Sequence, residues 1–139
     1  MARETKIKQF ELIQPELLKN LSEIQIDDDY FDFHNDYDCY LIKYHKECAE
    51  LILSFKTAGQ RIQLITHVEI IFKDVIISNM TFEPESTDNI MTIDTLYRGR
   101  YEEKGVLREF TDDNKGYYYV EFYKGFSFEL FVSKIVFSY

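Results

Sequence analysis

The sequence predicts a mainly β protein: an antiparallel sheet that curls, or folds into a two-layer β-sandwich or half-barrel, with one short N-terminal helix. Three observations carry that expectation. In residues 61–73, Ile62, Leu64, Val68, Ile70 and Phe72 share one parity, with Thr66 among them, while Gln63, His67, Glu69 and Lys73 take the other, interrupted by Ile65 and Ile71. Sustained period-two alternation marks a strand with one face on a core. Aromatic residues make up 17% of the chain, and tyrosine and phenylalanine favour pleated, half-buried surfaces. Strand-like runs follow one another through short polar turns, which pairs them antiparallel, because a parallel crossover takes about a dozen residues or more. The 139 residues, 45% hydrophobic and 29% charged, fit one globular domain spanning the whole chain, large enough to bury a core without staples.

Taken in order, residues 7–12 read as a short strand or a lead-in. Pro15 then suits a first helical turn, where its missing N–H is not needed. Leu17, Leu18, Leu21 and Ile24 recur at helical spacing, predicting a short helix over 15–24 that covers the core. It ends before Asp27, since aspartates are unfavourable at the negative end of a helix dipole. Residues 39–44 and 48–55 read as a strand pair joined through His45-Lys46-Glu47, followed by a turn at 57–60 in which Gly59 is free to take positive φ. Asp74 breaks the long strand, and 75–82 continues it as a bent or paired strand. Residues 83–88 form a polar connection, 89–101 resume the alternation, and turns fall at 102–105 and 112–116.

The run from Tyr117 to Tyr139 holds ten of the 23 aromatic residues. Its pairing follows from parity. A three-residue loop at Tyr123-Lys124-Gly125 sets Phe122 opposite Phe126, Val120 opposite Phe128 and Tyr118 opposite Leu130. A two-residue loop would set Val120 opposite Glu129 instead. Directly opposed side chains share a face, so only the first register is consistent. Gly125 then takes the left-handed position such loops require.

The stretch 27–40, DDDYFDFHNDYDCY, stands apart from this scaffold. Its six aspartates account for −6 of the formal net charge of −9, and it contains no lysine or arginine. Such acidity disfavours nucleic acid and anionic lipid, both of which present phosphate, and favours a basic protein partner. Interface hot spots favour aromatic anchors, and surrounding acids steer a basic partner toward them. Asp27, Asp28, Asp29, Tyr30, Asp32, Asp36, Tyr37 and Asp38 are therefore the candidate partner-binding residues. The plainer reading of the same stretch turns Phe31 and Phe33 inward and leaves the aspartates in water.

Catalytic and metal-binding patterns are missing from the sequence. A calcium loop started at Asp36 fails at Tyr40 and Leu41. His34, His45 and His67 have no ligand spacing around them. Ser54 and Ser78 lack the glycine-flanked turn that exposes a nucleophile, and no glycine-rich phosphate loop occurs. The expectation is a protein that is not an enzyme, without metal or cofactor. Cys39 and Cys48 lie at different heights of their predicted hairpin and read as free thiols of a reducing cytoplasm. No run approaches the roughly 20 apolar residues of a membrane helix.

Phe33-His34-Asn35-Asp36 before a strand pair, then residues 68–75 (VEIIFKDV), then Asn89-Ile90 opening a strand, then a phenylalanine-rich C-terminal hairpin: this order resembles small β-rich immunity proteins of bacterial polymorphic-toxin systems, with Asn35 where that pattern has aspartate. The resemblance covers residues 30–139. It implies a cytoplasmic, non-catalytic inhibitor that neutralises a cognate toxin, here by occluding a basic toxin domain. Two alternatives follow from the residues themselves: a small-molecule-binding β-barrel or sandwich, which an enclosed apolar cavity would favour, and a homo-oligomer joined through the aromatic C-terminal strands.

Overall fold

A computed structural model describes residues 7–58, 63–82, 91–123 and 125–139. Their secondary structure is β throughout, in thirteen strands. The first group is β1 (Gln9–Leu12), β2 (Glu23–Ile26), β3 (Asp29–Asp32), β4 (Tyr37–His45) and β5 (Glu50–Thr57). Next come β6 (His67–Lys73), β7 (Ile76–Thr81), β8 (Ile93–Gly99), β9 (Tyr101–Glu103) and β10 (Val106–Arg108). The last are β11 (Gly116–Phe122), β12 (Phe126–Val132) and β13 (Lys134–Ser138). All strand pairs are antiparallel. They make a five-stranded sheet ordered β1-β13-β6-β5-β4, a four-stranded sheet ordered β7-β12-β11-β8, and two small hairpins, β2-β3 and β9-β10. None closes into a barrel.

The two large sheets share a corner. β6 and β7 run in sequence through Asp74, which takes φ 53°, and β12 and β13 run through Ser133. The two paths pair on both sides of the bend, Ile135 with Phe72 in one sheet and Leu130 with Ile77 in the other. Ser133 Oγ donates to Asp74 Oδ2 at 2.8 Å, and Ser133 N–H donates to the Lys73 carbonyl at 3.1 Å. Strands that switch sheets at a bend in this way form the corner of a two-layer core. Across the molecule, Cys39 N–H reaches the Met91 carbonyl at 2.8 Å, a single bridge between β4 and the lead-in to β8. Inward side chains of both sheets meet in one cluster that includes Phe55, Phe72 and Phe137 from the first and Leu96, Val120, Phe122 and Leu130 from the second.

The C-terminal hairpin has the expected register: Phe122 pairs with Phe126, Val120 with Phe128 and Tyr118 with Leu130, and Gly125 sits at φ 88°. The turn at 102–105 is a two-residue loop pairing Glu103 with Val106, with both Lys104 (φ 50°) and Gly105 (φ 79°) left-handed. Cys39 pairs with Phe55, while Cys48 lies exposed in the turn at the other end of β4-β5, so the two thiols are free.

Three expectations need correction. The helix over 15–24 does not form. Leu18 takes φ 63°, its N–H donates to the Arg98 carbonyl at 2.8 Å, and Leu21 N–H donates to the Leu96 carbonyl at 2.6 Å. The segment lies along β8, whose edge carbonyls satisfy amides that a helix would have satisfied internally, and Glu23–Ile26 goes on to become β2. The strand expected from 61 begins only at His67. Cys48, expected at the start of a strand, is in a turn, and β5 begins at Glu50 with Ala49 at φ 51°. The expected glycine at positive φ in the 57–60 turn, the 83–88 connection, and Asn89-Ile90 lie outside the described residues. Among the described residues no helix is long and apolar enough to cross a membrane.

Candidate functional site

The acidic stretch folds as the β2-β3 hairpin followed by the lead into β4. Ile26 pairs with Asp29, leaving Asp27 and Asp28 as the turn. Asp27 sits at φ 52°, a conformation aspartate tolerates better than most residues because its short polar side chain bonds locally. The hairpin is held down by its apolar face. Phe31 stacks edge-on against Tyr139 with ring centroids 4.8 Å apart, and Phe33 lies 4.9 Å from the Phe55 ring.

This fold divides the eight candidate residues. Asp27 and Asp28 are exposed at the tip. Tyr30 is 47% exposed and donates its hydroxyl to Glu23 Oε2 at 3.0 Å. Asp29 is half-buried and lies 3.5 Å from Lys8 Nζ. Asp38 is half-buried on β4, accepting from Thr92 Oγ1 at 3.1 Å.

The other three point into the structure. Asp32, 4% exposed, accepts from His34 N–H (3.1 Å), Asn35 N–H (3.0 Å) and Asn35 Nδ2 (2.8 Å), and so ties the turn between β3 and β4. Asp36 is buried, with its amide on the Asp32 carbonyl. Tyr37, 1% exposed, packs on Phe31 and Phe33 and donates its hydroxyl to the Ile65 carbonyl at 2.8 Å. Burial, then the Asp36 and Asp29 carboxylates, push its phenol up to about 12. Tyr37 is thus a core residue, not an exposed anchor.

A residue the alternation had placed in the core takes the outer position instead. Leu64 is 100% exposed. The interruption of its apolar face by Thr66, and the apolar Ile65 on the opposite parity, were the signs in the sequence that the strand starts later. Residues 63–66 run as a ridge between two open grooves. One, about 380 Å³, is lined by Asp28, Asp29, Tyr30, Tyr37 and the ridge. The other, about 570 Å³, is lined by Asp29, Lys8, His67, Glu69, Tyr139 and the ridge. Asp29 borders both. The Tyr139 phenol is raised by burial and by Asp29, so it stays neutral beside the acid.

The ridge thus presents exposed Leu64 and half-buried Ile65 with Asp28 and Asp29 on its flank. Tyr40 and His67 Nε2 lie 2.5 Å apart on an exposed part of the five-stranded sheet. Among the described residues no group of three histidine, cysteine or acidic side chains could hold a metal ion. No protein-family model, curated protein or solved structure matches the chain.

Proposed function

We propose that the chain is a non-catalytic inhibitor of the immunity type, which binds and occludes a basic toxin domain through the β2-β3 tip and the 63–66 ridge. The observation that carries this reading is Leu64, wholly solvent-exposed between two grooves and flanked by Asp28, Asp29 and Tyr30. An apolar side chain with carboxylates around it fits an interface centre with a charged rim. The aspartates raise the rate of encounter with a cationic surface, and burial of Leu64 and Tyr30 slows release.

The test is growth rescue with a toxin domain encoded beside the chain's own gene. Expression of that domain alone arrests growth, and co-expression of the wild-type chain restores it. Leu64→Asp abolishes the rescue, and the triple variant Asp27→Asn, Asp28→Asn, Asp29→Asn slows association most at low salt, where screening is weakest. Full rescue by Leu64→Asp, or an association rate indifferent to salt, would overturn the reading.

A further inference from the structure

The four-stranded sheet has a second face, turned away from the core, that the proposed inhibitor surface does not use. Along β11 and β12 burial alternates residue by residue, with Tyr118, Val120, Phe128 and Leu130 inside and Tyr117, Tyr119, Glu121, Glu129 and Phe131 half-exposed outside. Tyr97 of β8 lies opposite Tyr119, with ring centroids 5.6 Å apart. Tyr101 extends the patch to Phe131 at 4.9 Å, and Phe131 to Tyr117 at 5.6 Å.

Two carboxylates are set among these rings. Tyr119 donates to Glu121 Oε2 at 2.6 Å, Tyr117 donates to Glu129 Oε1, and Asn79 Nδ2 of β7 donates to Glu129 Oε2 at 2.8 Å. Those bonds hold Glu129 below the usual carboxylate range, so both its charge and its orientation are fixed. A carboxylate has about four acceptor positions, so Glu121 and Glu129 keep capacity for a further donor. The four strands carry one cation, Arg98, and it faces the interior. Arg108, beside Tyr101 at the rim, is occupied by Glu103 and Asp112.

We propose that this outer face binds an arginine-bearing segment of a protein partner, with guanidinium groups stacked on Tyr97 and Tyr119 and paired to Glu121 and Glu129. Tyrosine ring faces attract cations. The planar guanidinium stacks on them and offers parallel N–H groups to a carboxylate, which an ammonium cannot do. A second copy of the chain is a poor occupant, because a two-fold contact through this face would set glutamates against glutamates on a chain of net charge −9.

The proposal is independent of the tip and ridge, and the experiment separates the two. The isotope-labelled full chain is titrated with hexa-arginine and with hexalysine, following amide shifts and tyrosine fluorescence, which is unobscured because the chain has no tryptophan. Hexa-arginine is expected to shift amides of β8, β11 and β12 and to bind there about tenfold more tightly than hexalysine. Tyr97→Ala with Tyr119→Ala weakens that binding about tenfold. Glu121→Gln with Glu129→Gln, which preserves shape and serves if the first pair fails to fold, weakens it several-fold. The triple aspartate variant of the tip leaves it unchanged. Shifts confined to residues 27–30, equal binding of both peptides at the face, unchanged binding in the glutamine pair, or self-association through these strands would each overturn the assignment.

Discussion

Replacing Asp32 by alanine removes three hydrogen bonds at once: the His34 amide, the Asn35 amide and the Asn35 side-chain amide, at 2.8–3.1 Å. A hydrogen bond to a charged group is worth roughly 1.5–3 kcal/mol. The three do not add, since they share one carboxylate and Asn35 is exposed, so water takes over part of the loss. A comparable capping aspartate costs about 0.5–2 kcal/mol when truncated. With a second backbone amide to satisfy at a 4% exposed site, the expected loss is about 2–3 kcal/mol. At roughly 4 °C per kcal/mol for a chain of this size, the melting temperature falls by about 8–12 °C. Asp28→Ala, four positions earlier in the same acidic run, lies exposed at the tip and is expected to stay within about 0.5 kcal/mol of wild type. Urea denaturation of both variants measures the difference. If Asp32→Ala matches wild type, or Asp28→Ala costs more than about 1 kcal/mol, the division of the acidic stretch into a buried structural part and an exposed binding part is wrong.

Stability is expected to fall in alkali. Burial pushes Tyr37, Tyr118 and the Cys39 thiol each up to about 12. The unfolded chain therefore releases these protons first, from about pH 9 for the thiol and about pH 10 for the phenols. The stabilisation is complete below pH 9 and is lost as pH rises toward 12; a urea midpoint unchanged between pH 8 and pH 11 would refute this. Arg98→Ala is expected to cost about 3 kcal/mol. The buried guanidinium donates to the Pro15 carbonyl at 2.8 Å and to Glu109 at 3.1 Å, and lies 4.9 Å from the Phe110 ring centroid. Arg98→Lys should not restore the loss, because an ammonium cannot satisfy that fork, and recovery of the wild-type melting temperature by lysine would refute the geometry. Of the two thiols, Cys48 should react with a disulfide reagent in the native protein and Cys39 only after denaturation; two fast thiols would contradict the burial of Cys39.

The parts of this fold that were legible in the sequence are those fixed by side-chain parity. The β11-β12 register followed from requiring opposed residues to share a face, and Gly125 followed from the loop that register demands. That 15–24 does not form a helix was illegible because the deciding partners, the carbonyls of Leu96 and Arg98, are remote in sequence. Leucines at helical spacing record only that some of them meet a core, and here Leu21 is buried while Leu18 is 66% exposed. At the candidate site, the alternation of aspartate with Phe31 and Phe33 correctly implied that the rings turn inward. It did not reveal Asp32 or Asp36 as interior; the Asp32 carboxylate enters because the His34 and Asn35 amides converge on it, and that convergence belongs to the turn after β3. Leu64 was misplaced because the alternation in the sequence extends beyond the strand, which begins only at His67.

The fold thus separates what the composition had combined. Acid and aromatic residues adjacent in 27–40 part company, Phe31 and Phe33 entering the core while Asp28 and Asp29 border the 63–66 ridge. A different set of rings, drawn from β8, β11 and β12, gathers around different carboxylates on the far side of the second sheet. The two surfaces should respond differently to salt. Charges at the tip stand in water and are screened beyond about 10 Å at 0.1 M, so they act mainly on the rate of encounter. Glu121 and Glu129 are half-buried and held by hydroxyl donors, so their pairing with a stacked guanidinium is screened less and acts mainly on release. Association that weakens with salt while dissociation stays nearly constant is what a partner engaging both surfaces would show, and the two sets of variants assign each rate to its own surface.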